Sequence, residues 1–321
     1  MDMQQPYFFA ADAHEGPVWV AGQCRLYFTT KTHLDDQRRV SILYLDFSSL
    51  GPCDGPDIWD CLTVERTSEV KLRTFVHDAN MANSMCLGPD GRSLLVAEQG
   101  DEHRPSVISR ISLDDGTRTV VVDEFEGKPF NSLNKVIVSE RGHLIFSDPD
   151  YGFRQGFRPP PALEPALYVL TPEGELTSFD CGLEMPHGLA LTPDERTLFV
   201  TDTSNDGAHG DDVELNRRKS VWRFAFDPAA GRLSGSPTCC FSVDEGVPDG
   251  MVTTQDRLLV GGGDGVYVAD LNGELTGKLP TPYTAVNVAL AGGGNHLFAT
   301  VEHGVQLFVN WPAFVREAVA G

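Results

Sequence analysis

The chain has 321 residues, 41% of them hydrophobic, and a formal net charge of −21. A chain this acidic repels nucleic acid and anionic membrane surfaces, so we expect neither as a partner, and its field favours a cation. No apolar run approaches the roughly 20 residues of a membrane span, and residues 1–6 lack the basic and apolar regions of a signal peptide. The seven cysteines show no metal-binding spacing, so we expect reduced thiols and a cytoplasmic location.

One pattern recurs along the chain: a polar residue, a short apolar strand, a turn and a second apolar strand. Its six copies start at Glu15, Asn83, Asn134, His187, Asp249 and Asn287. The copies are roughly 40–70 residues apart, which is typical of β-propeller blades with loops of variable length. The sequence therefore predicts an all-β fold in which residues 1–321 form a single domain, a six-bladed β-propeller.

In chain order, the short apolar run Tyr7–Ala10 is predicted to be the outer strand that completes the last blade and ties both ends of the chain together. Blade one has its third strand at Val40–Phe47 and its fourth at Asp60–Glu65. In blade two, Ser106–Leu113 and Arg118–Asp123 are predicted to form the outer hairpin, because Asp-Asp-Gly-Thr between them favours a tight turn.

Blade three has predicted outer strands at Ala166–Leu170 and Glu175–Phe179, after a loop stiffened by three successive prolines. Blade four contains the longest insertion, Ser204–Lys219. Its polar composition excludes it from the core, and a loop of this length is usually functional or disordered, so a lid over one end of the ring is one interpretation. The third strand of blade five is predicted at Gly265–Asp270, and Trp311–Val319 is predicted to be a short terminal helix.

The six polar residues that start the copies are predicted to project toward the channel axis at one end of the ring. Two are carboxylates, three are amides and one is an imidazole. Carboxylate and amide oxygens suit Ca²⁺ or Mg²⁺, whereas imidazole favours Zn²⁺, Mn²⁺ or another transition metal. A narrow channel cannot leave so many polar groups unsatisfied, so we expect water or, better, a cation among them. Taken alone, His187-Gly188 or Asp249-Gly250 would predict only a turn.

A divalent cation at this place would polarise a carbonyl or phosphoryl oxygen and lower the pKa of a water molecule. Asp249 could accept a proton from that water, and His187 could do so if it is not a metal ligand. Either route predicts hydrolysis of an ester-like bond.

Five short motifs occur in order at blade spacing. They are His14–Trp19, Asn131–Asn134, Ser147–Gly152, Pro186–Ala190 and Pro248–Met251. With these motifs the chain resembles the SMP-30/gluconolactonase/LRE-like family of six-bladed propellers from about Glu15 to Thr300. The resemblance implies a metal-dependent lactonase that acts on a small lactone, with a divalent ion, often Ca²⁺, at the mouth of the channel.

The resemblance also assigns roles. It implies that Glu15, Asn134 and Asp249 are metal ligands and that Asp249 is the base. His187 stands where the family normally has an asparagine ligand, so it is a candidate ligand or second base, and Zn²⁺, Mn²⁺ and Mg²⁺ remain alternatives to Ca²⁺. Lys135 stands where the family usually has Asp, and it would meet an anionic substrate or point to solvent.

The pocket wall is predicted to contain Asn83, Asn131, Glu98, Tyr151 and Asn287. Glu98 could instead be a turn or solvent group, as strand-end acids usually are, and Tyr151 could pack under the proline-rich loop rather than stack on a substrate ring. Two other functions remain open: a phosphotriesterase-like hydrolase on the same site, and a propeller that binds a ligand or partner around a structural metal. The oligomeric state is not predicted.

Overall fold

The computed structural model describes residues 5–32, 39–52, 57–204 and 219–317. Their strands form six antiparallel sheets of four or five strands and one two-stranded hairpin. The sheets are arranged as the blades of a six-bladed β-propeller, which confirms the predicted all-β fold.

The strands of each blade are given from the innermost outward. Blade one contains Val18–Val20, Arg25–Thr29, Ile42–Asp46 and Lys71–Val76. Blade two contains Ala82–Leu87, Ser93–Glu98, Val107–Ser112 and Arg118–Val122. Blade three contains Val136–Val138, Leu144–Asp148, Ala166–Leu170 and Leu176–Phe179. Blade four contains Pro186–Leu191, Thr197–Thr203, Lys219–Asp227 and Arg232–Ser242. Blade five contains Met251–Thr253, Arg257–Gly262, Gly265–Asp270, Leu275–Pro280 and Arg316–Glu317. Blade six contains Ala285–Ala291, His296–Val301, Gly304–Phe308 and Tyr7–Ala10.

The remaining elements are short. A hairpin pairs Glu124–Phe125 with Lys128–Pro129, and the α-helices span Asp57–Asp60 and Tyr151–Arg154. The 3-10 helices span Ala21–Gln23, Ser48–Leu50, Glu65–Glu69, Gly292–Gly294 and Trp311–Phe314. Within the described ranges, no helix combines the length and apolar content that crossing a membrane requires.

The hydrophobic core lies between the blades, and the second strand of blade two shows why. All six of its residues, Ser93–Glu98, are buried. Leu94 and Val96 pack with blade one, whereas Leu95 and Ala97 pack with blade three. Successive side chains of a strand point to opposite faces, so a strand between two blades must be apolar on both faces.

The ring is closed by the first strand of the chain. Tyr7–Ala10 pairs antiparallel with Gly304–Phe308 as the outer strand of blade six, with Tyr7 opposite Leu307. Phe9 packs in the same apolar cluster as Phe28 of blade one and Phe298 of blade six. The prediction that this strand completes the last blade is therefore confirmed.

Two predicted elements are wrong. The fourth strand of blade one is Lys71–Val76 rather than Asp60–Glu65, because Trp59 and its apolar neighbours are buried against Trp19 in a helical turn. The predicted terminal helix ends as a 3-10 helix at Phe314, and Arg316–Glu317 then pairs with Leu275–Pro280 of blade five. Of the predicted lid, residues 205–218 lie outside the described ranges.

The expectation of reduced cysteines is also wrong in part. Cys24 is buried and disulfide-bonded. The described free thiols belong to Cys61, Cys86, Cys181, Cys239 and Cys240.

Candidate functional site

A cavity of about 180 Å³ lies where the innermost strands of the blades begin. Five successive blades each contribute to its wall the polar residue that starts their repeat. These residues are Glu15, Asn83, Asn134, His187 and Asp249. The structure therefore brings together all four predicted metal ligands, including side chains that are more than 200 positions apart in the sequence.

Three of these side chains form the centre of the site. One ligand atom each from Glu15, His187 and Asp249 lies within 4.8 Å of the other two. Nδ1 of His187 lies 3.1 Å from Oδ1 of Asp249, without the alignment of a hydrogen bond. Glu15 is only 1% exposed. Two carboxylates and an imidazole at this spacing can share one cation.

Two amide oxygens extend the same set. Oδ1 of Asn83 and Oδ1 of Asn134 are buried and accept no hydrogen bond from the described part of the chain. A buried acceptor without a donor costs about 1–3 kcal/mol, and a cation satisfies it without supplying a hydrogen. The residues therefore fit a divalent metal ion: two carboxylates, two amide oxygens and one imidazole.

A glycine follows three of the five wall residues, and the structure gives its reason. A Cβ atom on Gly16 would lie within 3.0 Å of the backbone of blade two, one on Gly188 closer than 3.0 Å to the carbonyl oxygen of Asp249, and one on Gly250 closer than 3.0 Å to the side chain of Asn287. Each glycine thus lets the innermost strand of the next blade approach. At Gly188 and Gly250 this close approach, rather than a turn, explains the polar–Gly motif, since both lie within or beside innermost strands.

Hydroxyl groups on the second strands hold the site residues of the next blade. Oγ1 of Thr29 donates to the carbonyl oxygen of Asn83 at 2.9 Å. Oγ of Ser147 donates to that of His187 at 2.9 Å, and Oγ1 of Thr201 to that of Asp249 at 3.1 Å. The position of each of these site residues therefore depends on the preceding blade.

The ring of contacts closes through Asn287. Its Nδ2 donates to Oε2 of Glu15 at 2.6 Å, although the two residues are 272 positions apart. Its Oδ1 accepts the backbone N–H of Val288 at 2.8 Å. Asn287 is fully buried and is not among the residues that line the cavity. Both ends of its amide are thus engaged, and its role in this arrangement is to orient Glu15.

Burial and neighbouring charges set the ionisation of the central residues. Burial lowers the pKa of His187 to about 4, so its imidazole is neutral near pH 7. Burial opposes ionisation of Glu15, but the charges that His187, His14 and Lys135 carry when they are protonated, together with the hydrogen bond from Asn287, hold the pKa of Glu15 below its usual range. The site at neutral pH therefore presents an ionised Glu15 beside a neutral imidazole, which is the form in which both bind metals.

Besides Asn287, two further residues predicted for the pocket wall lie elsewhere. Glu98 is fully buried, and its carboxylate accepts hydrogen bonds from Arg118 on the outermost strand of blade two and from Asn80. Asn131 holds the proline-rich loop through two hydrogen bonds between its amide group and the backbone of Leu163. Neither is among the residues that line the cavity.

Strand-end acids share a structural role in this propeller. The carboxylate of Asp148 accepts the backbone N–H groups of Asn131 and Ser132 at 2.9 and 2.7 Å, and thereby holds the loop that leads to Asn134. Burial raises the pKa of Asp148 to about 7. Glu98 likewise anchors Asn80, just before the innermost strand of its own blade. An acid at the end of the second strand of a blade is therefore the sequence signal of such an anchor.

Tyr151 lies in the cavity wall. Its ring meets the ring of His187 edge to face at 5.6 Å, and its hydroxyl is hydrogen-bonded to Oγ1 of Thr203. Other wall residues were not among the predicted site residues. They are His14, Thr32, Gln99, Gln155, Thr203 and Val247. His14 had a signal, since it directly precedes Glu15, whereas the others belong to loops and strand ends outside the repeated motif.

Comparison with known proteins agrees with this architecture. The sequence model of the protein family described as SMP-30/Gluconolactonase/LRE-like region matches residues 13–303 of this chain. A gluconolactonase of Zymomonas mobilis is 29% identical over 244 residues, which cover 70% of this chain and 62% of the relative. The lactonohydrolase oryL of Aspergillus oryzae is 28% identical over 215 residues, which cover 61% of this chain and 48% of the relative. The matches thus span about half to two thirds of these relatives.

Solved structures share the fold. A gluconolactonase from Xanthomonas campestris superposes with a TM-score of 0.73 at 24% identity, over 99% of this chain and 96% of that one. A calcium-binding protein, regucalcin, from Agrobacterium tumefaciens superposes with a TM-score of 0.63 at 15% identity, over 93% of this chain and 90% of that one.

Proposed function

The chain belongs to the SMP-30/gluconolactonase/LRE-like family, and on that premise we propose that it is a metal-dependent hydrolase that opens a small lactone. The observation that supports the proposal most directly is the convergence of Glu15, His187 and Asp249 within 4.8 Å in a cavity that also holds two unsatisfied amide oxygens. The related gluconolactonase and lactonohydrolase point to the same kind of bond. Residues 1–321 are proposed to form one domain.

The residues proposed to hold a divalent ion are Glu15, Asn134, His187 and Asp249. Bound there, the ion would supply Lewis-acid polarisation of a carbonyl oxygen. Oxygen ligands predominate, which makes Ca²⁺ the first ion to test, and the imidazole makes Zn²⁺ and Mn²⁺ the alternatives.

Asp249 is proposed as the general base. Its side chain is 19% exposed, whereas that of His187 is 9% exposed, so a water molecule in the cavity can reach the carboxylate. Asp249 would take one proton from the water as its oxygen bonds to the lactone carbonyl carbon. When the ring C–O bond breaks, the proton can pass to the leaving oxygen, and the product is a hydroxy acid.

Apart from the proposed metal ligands, the cavity wall is mostly neutral and polar. Tyr151, Gln99 and Thr203 line it with side chains that can hydrogen-bond a hydroxylated ring. A volume of about 180 Å³ admits only a small ligand. Both features support a small lactone as the substrate class.

The test is a pH-stat assay on a panel of small lactones, with the protein as purified, after EDTA treatment, and after Ca²⁺, Mn²⁺ or Zn²⁺ is added back. We expect EDTA to abolish hydrolysis and one of the ions to restore it. Activity on phosphotriesters but on no lactone would favour the phosphotriesterase-like function. Loss of metal without any change in hydrolysis of either class would contradict a metal-dependent hydrolase.

The proposed base is tested separately. We expect Asp249→Asn to reduce kcat by about 10²-fold or more, which is the scale of a lost general base. The matched control is Asp256→Asn, because the Asp256 side chain is 71% exposed and its carboxylate contacts only its sequence neighbours Thr254 and Arg257 in the described structure. If Asp249→Asn binds the ion and turns over at the normal rate, Asp249 is not the base.

A further inference from the structure

Gln99 directly follows the second strand of blade two and is fixed at its backbone. Its N–H donates to the carbonyl oxygen of Met81 at 3.1 Å, and the N–H of Gly100 donates to that of Asn80, also at 3.1 Å. The side chain lines the cavity but is otherwise buried, since only 4% of the residue is exposed. Gln99 is therefore a rigidly held amide in the wall of the site.

One hydroxyl group sets the orientation of this amide. Oγ of Ser132 accepts the backbone N–H of Gly152 at 2.7 Å and donates to Oε1 of Gln99 at 3.4 Å. Ser132 is fully buried, and within the described ranges its hydroxyl hydrogen has no other acceptor. If the amide were turned over, Nε2 would face Oγ and this buried hydrogen would lose its acceptor, which is costly. The hydroxyl therefore engages Oε1 and leaves Nε2 as the end that can donate to a molecule in the cavity.

This end of the amide has no protein partner. Nε2 of Gln99 donates no hydrogen bond in the part of the chain that the structure describes. The side-chain oxygens of Asn83 and Asn134, in the same cavity wall, accept none from it. A nearly buried donor that lines a cavity is satisfied by a molecule in that cavity. Because an amide nitrogen donates and does not accept, the atom opposite it must carry a lone pair, as an oxygen does.

We propose that Gln99 is a specificity-determining residue whose Nε2 donates a hydrogen bond to a hydroxyl oxygen on the ring of the lactone, and that Ser132 is the residue that positions it. The inference rests on the proposed function, because it requires a lactone in the cavity. In that function the reacting carbonyl group lies at Glu15, His187 and Asp249, so the oxygen that reaches Gln99 is a substituent of the ring.

Lactones with and without a ring hydroxyl should therefore respond differently when the donor is removed. Gln99→Met keeps a similar side-chain length and has no donor. We expect it to lower kcat/KM for a hydroxylated lactone by about 3- to 10-fold relative to an unsubstituted one, the scale of one hydrogen bond between neutral groups. The ratio of the two substrates cancels any effect of the variant that both share, such as a change in folding or in metal binding.

Ser132 is tested through the same ratio. We expect Ser132→Ala to lower the ratio as well, because the amide of Gln99 is then free to turn. In the double variant with Gln99→Met the ratio should fall no further than in Gln99→Met alone. Falls that add up would show that Ser132 acts by another route, such as its contact with Gly152, and would contradict its positioning role.

The experiment measures kcat/KM in a pH-stat, with the full-length protein and the ion that restores hydrolysis, for two pairs of lactones. One pair is γ-butyrolactone and α-hydroxy-γ-butyrolactone, and the other is δ-valerolactone and glucono-δ-lactone. The control is Gln255→Met, because Gln255 is exposed in the turn after Met251–Thr253. Circular dichroism shows that each variant is folded. A lower ratio of hydroxylated to unsubstituted lactone in Gln99→Met but not in Gln255→Met supports the inference.

The same assay separates this inference from the proposed function. Equal changes for both members of each pair would show that Gln99 does not contact a ring hydroxyl, and the lactone-opening hydrolase would stand. An unchanged protein that hydrolyses both members of each pair equally well would also overturn the inference alone. Hydrolysis of no lactone with any ion would overturn the proposed function and this inference with it.

Discussion

Replacing Asn287 with Ala is the most direct test of how the site is built. Asn287 donates a 2.6 Å hydrogen bond to the buried carboxylate of Glu15 and does not line the cavity. The variant therefore leaves every proposed metal ligand and the whole cavity wall chemically unchanged. A loss of metal binding would come from the orientation or the ionisation of Glu15, or from the lost packing of Asn287 against Gly250 beside Asp249, and a double-mutant cycle separates the two.

The magnitude follows from the contact. A hydrogen bond to a charged group contributes about 1.5–3 kcal/mol, and loss of an outer partner of a metal ligand typically costs about 10- to 100-fold in affinity. The hydrogen bond from Asn287 lowers the pKa of Glu15, so its removal raises that pKa and makes a proton compete better with the ion. We expect Asn287→Ala to weaken Ca²⁺ binding by about 10- to 100-fold.

Calorimetric titration of the metal-free protein measures the change. The control is Asn295→Ala, because Asn295 is exposed on the same blade and only its backbone bonds Trp311. A double-mutant cycle with Glu15→Gln isolates the pair: once the carboxylate is gone, loss of Asn287 should cost little further affinity. Normal affinity in a folded Asn287→Ala protein, or full additivity in the cycle, would refute the argument.

Three further outcomes are expected. Gly188→Ala should destabilise the fold by about 1–3 kcal/mol in urea unfolding and weaken metal binding, because the added Cβ would press on the carbonyl oxygen of Asp249. Gly22→Ala should be near normal, because its added Cβ would meet no other part of the described chain within 4 Å. Thr201→Val should cost about 1–3 kcal/mol in the same measurement, because its hydroxyl links Gly188 N–H to the Asp249 carbonyl in a buried place. For His187 the folded pKa of about 4 lies below its ordinary 6.5, so the folded metal-free protein binds fewer protons than the unfolded chain between these values. The contribution of His187 to the free energy of unfolding is complete above pH 6.5 and is lost as the pH falls toward 4, by up to about 3 kcal/mol. The free energy of unfolding of His187→Asn should therefore decrease less between pH 7 and pH 4.5 than that of the unchanged protein. An equal decrease in both proteins would contradict a buried neutral imidazole.

The parts of the site that follow the repeat could be predicted from the sequence. Glu15, Asn134, His187 and Asp249 stand at one position of each copy, and a closed ring of blades brings equal positions together. The same reasoning predicts Tyr7–Ala10 as the closing strand, which the pairing with blade six confirms. These inferences need only the spacing of the repeated strand pattern along the sequence and the closure of the ring of blades.

The parts that depend on single side-chain contacts could not be predicted. Glu98 shares the repeat position of other strand-end acids. Its hydrogen-bond donor Arg118 lies on the outermost strand, and no recognisable sequence spacing connects the two residues. Lysine is mostly exposed in proteins, so nothing in composition predicts that Lys135 is only 6% exposed and does not point to solvent. Asn287 stands at the repeat position, but only the structure shows that its amide is fully engaged between Glu15 and the backbone.

The hydrogen bonds around the site make its geometry a property of the closed ring. Ser147 on blade three holds His187 on blade four, Thr201 on blade four holds Asp249 on blade five, and Asn287 on blade six holds Glu15 on blade one. Each of these three hydrogen bonds joins a residue of the centre to a group on a different blade. An ion bound by Glu15, His187 and Asp249 would therefore join three blades whose relative positions are set by the others. Because ligand binding to the folded form alone adds to its stability, metal affinity and closure of the propeller should rise and fall together.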